Sequence, residues 1–176
     1  GKLTLDGEYE VADTMCDFAQ MIRYNTTASS TMLPLREELN HVRNYVSLQR
    51  CRYGNSVVLR VHAAEALLNL PIPRFLLQPI VENSFEHGFA GKAPDAERLI
   101  VVSARKMGKR LILRVRDNGQ GMETGQVEAM NRKFAQPYDA LALHHEKEHG
   151  IGLENINDRL RIFSRSDDRL VLRSRR

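Results

Sequence analysis

Along residues 35–53 the apolar positions Leu35, Leu39, Val42 and Val46 are spaced four, three and four apart, the stripe of a helix packed on one side. A second helix is predicted over 12–24, separated from the first by the Thr/Ser-rich stretch from Asn25 to Thr31 and by Pro34, which mark a loop or a break in a helical arm. The stripe is compatible with packing on its own domain and equally with contact to a second copy. From Val57 onward the pattern alternates strand, helix, strand, strand, helix, strand, over 57–62, 73–89, 98–104, 110–116, 152–164 and 168–173. The helix over 73–89 opens with Pro73 near its first turn, and Pro79 inside it either kinks it or marks its true start. Strands grouped with helices on one face predict an α/β fold, a two-layer α/β sandwich over 56–176 preceded by a helical arm over 1–55. The polar stretch between Glu123 and His149 has weak periodicity. A segment this long between core elements predicts a mobile lid, with Gly125 to Phe134 as a helical portion.

Three short segments carry the candidate chemistry: VENSFEHG at 81–88, DNGQGM at 117–122 and HGIGLEN at 149–155. The run Leu111 to Arg116 reads as a strand feeding into Asp117, Asn118 and Gly119, which alone is an ordinary turn. Gly121 follows two residues later, and Gly150 and Gly152 stand directly before an apolar-periodic helix. Glycines so placed let backbone N–H groups approach phosphates that a Cβ would exclude, and a helix N-terminus favours an anion. Asn83 and His87 are four apart and share a helix face. An Asn amide oxygen is a hard, neutral ligand suited to a Mg²⁺ shell already rich in water and phosphate oxygens. Taken singly, Asp117 is a turn residue and Asn83 a surface Asn; their order in the chain points to a nucleotide site.

As an ordered set the segments resemble the N, G1 and G2 boxes of the GHKL (Bergerat) superfamily, which includes histidine kinases, gyrase and Hsp90. They are most similar to the LytS/YehU-like sensor histidine kinases, through LLQPIVENSFEHG, DNGQGM, HGIGLENINDRL and, upstream, LREELNHVRNYVSLQRCRYGN. The resemblance covers roughly residues 18 to 174. It implies the ATP-binding catalytic portion of a two-component sensor histidine kinase, with ATP and Mg²⁺ as cofactors. The implied ATP-binding residues are Asn83, His87, Asp117, Gly119, Gly121, Met122, Gly150, Ile151, Gly152, Leu153 and Asn155, with Asn83 on Mg²⁺. Asp117 is the implied acceptor of the adenine amino group, which suits an acceptor-only carboxylate. The implied reaction is transfer of the γ-phosphoryl group to a histidine and thence to a response regulator, which asks little beyond positioning and charge neutralisation.

The sequence departs from that pattern in several places. Glu86 stands where the family often has Lys, and is expected to face away from the phosphates or to touch the metal through water. Pro79 stands where ATP-hydrolysing members carry a water-activating Glu, which disfavours a gyrase-like hydrolase. The family's last strand and its Gly-Thr turn do not follow Leu170 to Leu172. The phosphoacceptor box is absent before residue 18, so the chain reads as a fragment that starts after it, with no catalytic residue inside. His41 lies off the apolar stripe and is expected to be a solvated helix residue titrating near neutrality. Implied partners are a second copy through the helical arm and a response regulator. Two rivals are a non-catalytic nucleotide-binding or scaffold module of the same fold, and an anti-sigma type serine kinase, which lacks the arm.

Composition changes this picture little. The 176 residues, 42% hydrophobic, suffice to bury one core, and no apolar run approaches the roughly 18 residues of a membrane span. No signal peptide opens the sequence. A cytoplasmic fragment without membrane contact is expected, from a whole protein anchored in the bacterial cell membrane. Cys16 and Cys51 lack metal spacing and are expected as free thiols. The net charge of +4 invites a nucleic-acid reading, but Arg105, Lys106, Lys109 and Arg110 bracket Gly108 as a hairpin turn, and the other Arg residues are dispersed. With six Phe, five Tyr and no Trp there is little material for a stacking platform, so no nucleic-acid partner is expected. His144, His145 and His149 have no accompanying third-ligand pattern and read as polar lid residues.

Overall fold

The computed structural model describes residues 31–136, 151–164 and 168–174. The predicted helix over 12–24, Cys16, the three lid histidines and Gly150 lie outside the described residues. The elements are β1 (Met32–Pro34), α1 (Leu35–Tyr53), β2 (Val57–Ala63), β3 (Pro71–Pro73), α2 (Gln78–Asn83) continued by a π-helical turn (Ser84–Gly88), β4 (Arg98–Met107), β5 (Arg110–Asp117), α3 (Thr124–Ala135) and α4 (Ile151–Ser164). The main sheet runs β2-β4-β5. β2 lies parallel to β4, with Val61 opposite Val102, and β4 antiparallel to β5, with Val102 opposite Val115. β1 and β3 form a separate two-stranded ribbon with Leu33 opposite Ile72. The β4–β5 hairpin turns through Gly108, whose φ of +60° suits a two-residue connection, as its sequence predicts.

α1 carries Glu37 and Glu38 in its first turn and Arg50 and Arg52 in its last, each favourable to the helix dipole, and it ends at Gly54 with φ +62°. Leu35, Leu39, Val42 and Val46 are at most 1% exposed. The stripe therefore packs within the chain, and burial of each such side chain stabilises by about 1.5–3 kcal/mol. Glu38 and His41 join the same buried face, at 0% and 7% exposure. The expectation of a solvated His41 is corrected: desolvation, helped by the nearby Arg74 charge, lowers its pKa to about 4.

Pro73 belongs to β3 and not to the helix predicted over 73–89. The helix begins at Gln78, with Pro79 in its first turn where a missing N–H costs nothing, so Pro79 marks the true start. Beyond Asn83 the helix widens: the Phe89 N–H donates to the carbonyl of Ser84, five residues back, at 2.8 Å. Phe85 at this point packs against Tyr45 and Tyr53 of α1 and against Phe89, with ring centroids 5.4–5.8 Å apart.

The strand predicted over 168–173 is not formed. Its backbone groups are taken by side chains instead. The Leu170 N–H donates to Asn157 Oδ1 at 3.0 Å, and Asn131 of α3 accepts from the Leu172 N–H at 2.8 Å while donating to its carbonyl at 2.9 Å. α3 realises the helical portion of the predicted lid. It is fastened to the core by Phe134, 1% exposed, and by Arg161 of α4, which donates to the Phe134 carbonyl at 2.6 Å.

Candidate functional site

Three elements converge at one end of the sheet: the α2–π segment, the turn after β5, and the first turn of α4. Ser84, 4% exposed, donates its hydroxyl to Asp117 Oδ2 at 3.0 Å, and the Gly119 N–H donates to Asp117 Oδ1 at 2.8 Å. The carboxyl group is thus oriented by one hydrogen bond on each oxygen while the residue remains exposed. Lone pairs remain on both oxygens for an outside donor.

The turn after Asp117 is bound to the end of the π turn. The Gln120 N–H donates to the Gly88 carbonyl at 2.7 Å, and Gln120 Nε2 donates to the His87 carbonyl at 2.9 Å. The approach is so close that a Cβ on Gly119 would stand 2.3 Å from the Gly88 oxygen, and one on Gly88 would stand 3.2 Å from Asp117 Oδ1. Gly119 is therefore required by contact and not by a turn alone. Gly121, at φ +73°, is required by backbone conformation. Asn118 faces the other way: it accepts from the Leu99 N–H and from Lys92 Nζ at 3.0 and 2.9 Å, and donates to the Glu97 carbonyl at 3.0 Å. Its role is to pin the turn to the start of β4. That loop is held by Arg98, whose guanidinium donates to the carbonyls of Lys92, Ala93, Pro94 and Ala96 and lies over the Tyr53 ring.

Asn83 donates its Nδ2 to the Pro79 carbonyl at 2.7 Å. A Cβ on Gly152 would come within 3.1 Å of Asn83 Nδ2 and 3.7 Å of its Oδ1. The first and third segments therefore meet at these two residues. This donor set fits a Mg²⁺ ion sharing nucleotide phosphates: one neutral protein oxygen beside a helix N-terminus, leaving room for phosphate and water oxygens. Among the described residues no group of three or more His, Cys, Asp or Glu could hold a metal by itself.

The remaining sequence-predicted residues are placed as follows. The His87 side chain is 71% exposed with its Nε2 4.0 Å from Glu86, and its carbonyl serves the site more directly than its ring. Met122 is half-buried, and its N–H donates to Ser174 Oγ at 3.0 Å. Leu153 is 8% exposed and packs in the core, so its side chain is not presented to a ligand. Asn155 is exposed on α4, and Ile151 opens that helix. Glu86 is 69% exposed and acts with Glu82 on Tyr45, whose pKa is pushed up to about 12 chiefly by burial and then by these two charges. Its charge thus reaches Tyr45 of α1. Ser84, Gly88 and Gln120 are not among the site residues expected from sequence. Gly88 and Ser84 lie inside VENSFEHG, but nothing local to that segment reports a partner 33 residues away.

The chain is similar to known proteins. Residues 71–166 match the histidine kinase-, DNA gyrase B- and HSP90-like ATPase family, and residues 2–57 match a histidine kinase family. The sensor protein LytS of Oceanobacillus iheyensis is 28% identical over 173 residues, spanning 98% of this chain and 28% of that protein. An uncharacterized sensor-like histidine kinase of Staphylococcus epidermidis is 32% identical over 162 residues, 89% of this chain and 31% of its own. The chain thus spans less than a third of the length of these curated relatives. Among solved structures, the blue-light activated histidine kinase of Erythrobacter litoralis superposes with a TM-score of 0.46 at 12% identity, over 87% of this chain and 47% of that one. With its three segments joined in one site and more than half its length matched, the chain belongs to the histidine kinase-, DNA gyrase B- and HSP90-like ATPase family.

Proposed function

We propose that the chain is the ATP-binding catalytic portion of a two-component sensor histidine kinase, passing the γ-phosphoryl group of ATP to a histidine and thence to a response regulator. The observation that carries this reading is the meeting of Asn83 with Gly152 and of Ser84 with Asp117, which makes one site of three separate segments. In it Asp117 accepts from the adenine amino group, Gly119 and Gly121 shape the adenine pocket, and the backbone amides around Gly150 to Leu153 receive the phosphates. Mg²⁺, held through Asn83 Oδ1, supplies neutralisation of phosphate charge. Pro79 offers only its carbonyl, already bonded to Asn83, where a hydrolase of this family would place a water-activating side chain. That supports transfer to an incoming nucleophile over hydrolysis.

Pairing of two copies through the arm, residues 1–55, belongs to the same reading. Since Leu35, Leu39, Val42 and Val46 are buried within the chain, the pairing surface is assigned to other faces of the arm. The described region works in the cytoplasm, and the whole protein is anchored in the bacterial cell membrane; among the described residues no helix is long and apolar enough to cross one. Calorimetric titration with a non-hydrolysable ATP analogue, with and without Mg²⁺, tests the site. Micromolar binding tightened by Mg²⁺ is expected, and absence of binding under both conditions would overturn the reading.

A further inference from the structure

We infer that Glu38 is a positioning residue for the nucleotide site, its buried carboxyl group holding the 75–77 turn from which α2 and Asn83 set out. The inference rests on the proposed nucleotide site. Glu38 is wholly buried, on a helix face otherwise lined by Leu35, Leu39, His41, Val42 and Val46. Its Oε1 accepts from the Phe75 N–H at 2.8 Å, and its Oε2 from the Leu76 and Leu77 N–H groups at 3.0 and 3.1 Å. A chain that needed only to cover this face would be served by Leu at 38, because burying a carboxyl group is costly unless its hydrogen bonds are made. What the carboxyl group provides, and Leu would not, is a fixed height and angle for three successive amides 37 to 39 residues away.

Those amides belong to a turn that does not hold its shape unaided. Phe75 has a φ of +58°, a left-handed conformation unfavourable for a residue with a Cβ and kept only where surroundings impose it. The surroundings are Glu38 on one side and α4 on the other. Arg159 of α4 donates to the Arg74 carbonyl at 2.9 Å, and the guanidinium groups of Arg159 and Arg74 lie 5.4 and 5.2 Å from the centre of the Phe75 ring. α4 is also the helix whose first turn, at Gly152, touches Asn83. The turn is thus a node joined to α1 through Glu38, to α4 through Arg159, and covalently to α2. From Leu77 to Asn83 is about 9 Å of helix axis, too short to absorb a displacement by bending. A shift of α1 therefore reaches Asn83 and Ser84, which makes Glu38 the point where the arm acts on the nucleotide site.

The test compares the chain with its Glu38→Gln, Arg159→Ala and Val46→Ala variants at a temperature where circular dichroism shows each folded. Val46, 1% exposed on the same helix, is the control for simple loss of packing. Affinity for a non-hydrolysable ATP analogue with Mg²⁺ and hydrogen exchange of the peptide over 78–88 are read for each. Glu38→Gln is expected to weaken binding roughly 5- to 100-fold and to speed exchange over 78–88, whereas Val46→Ala leaves both near the parent values. A folded Glu38→Gln variant with parental exchange over 78–88 and affinity within about twofold would overturn the inference. If Glu38→Gln does not fold, Arg159→Ala loosens the same node from the surface and is held to the same outcomes. If the parent chain binds no analogue, the proposed function fails separately and exchange alone decides: faster in Glu38→Gln than in Val46→Ala supports the node, equal exchange refutes it.

Discussion

The α2 segment has a polar cluster at each end, put to opposite uses. At its base Glu38, His41 and Arg74 are at most 7% exposed, and Glu38 spends both oxygens on backbone amides of the chain itself. At its tip Asp117 is exposed and gives each oxygen a single internal hydrogen bond, and half-buried Asn83 commits its amide nitrogen to the Pro79 carbonyl. One cluster is closed by the fold; the other is half-closed, oriented and left open. The difference teaches that a buried polar group sets a position, while an exposed polar group already aimed by internal bonds is a binding group in waiting.

The contrast predicts large functional and small structural effects at the tip, and at the base effects on the fold that reach binding only through the 75–77 turn held by Glu38. The largest effect is expected from Asp117→Asn, which replaces an acceptor-only group by one that presents a donor. ATP-analogue affinity should fall roughly 100-fold by calorimetry, with thermal stability nearly unchanged. A cooperative collapse of stability in that variant would place Asp117 with the base cluster instead. At the base, His41 is held neutral, with a folded pKa of about 4 against 6.5 unfolded. Between those values the unfolded chain binds more protons, so stability is lost as pH falls from about 6.5 to about 4, by on the order of 2–3 kcal/mol. Thermal melts across this range should show that slope in the parent chain and a flatter one in His41→Gln. Gly119→Ala forces a Cβ into the Gly88 carbonyl and should cost about 2 kcal/mol in chemical denaturation, making it a tip substitution that does reach the fold. Asn83→Ala is the mildest: loss of about tenfold in affinity with Mg²⁺ and little without it, measured as two titrations. Equal losses in both would remove the metal role from Asn83.

Much of this was written in the chain. The stripe Leu35, Leu39, Val42, Val46 and the apolar strands at 57–63, 98–107 and 110–117 are periodic, and periodicity reports burial directly. Asp117, Gly119, Gly121 and Asn83 stand out as candidates because their chemistry is local to short segments. What escaped depends on partners far along the chain. Glu38 and His41 look like the polar side of α1 until the turn at 75–77 and Arg74 are brought against them. Leu170 to Leu172 have the composition of a strand, yet Asn131 and Asn157 take the bonds a neighbouring strand would have made. Pro73 and Pro79 both suit a helix start, and only the ribbon pairing of Met32 with Pro73 decides between them.

The widened turn at Ser84–Gly88 gives the site a dependence on length as well as on residue identity. Each residue in a regular helix advances the chain by about 100°, so removing a single residue between 84 and 88 would restore ordinary helical bonding while swinging Gly88 out of reach of Gly119. The helix would be improved and the pocket lost. Along lineages of such proteins, the count of residues between Asn83 and Gly88 should therefore resist insertion and deletion more stubbornly than the side chains in between resist replacement.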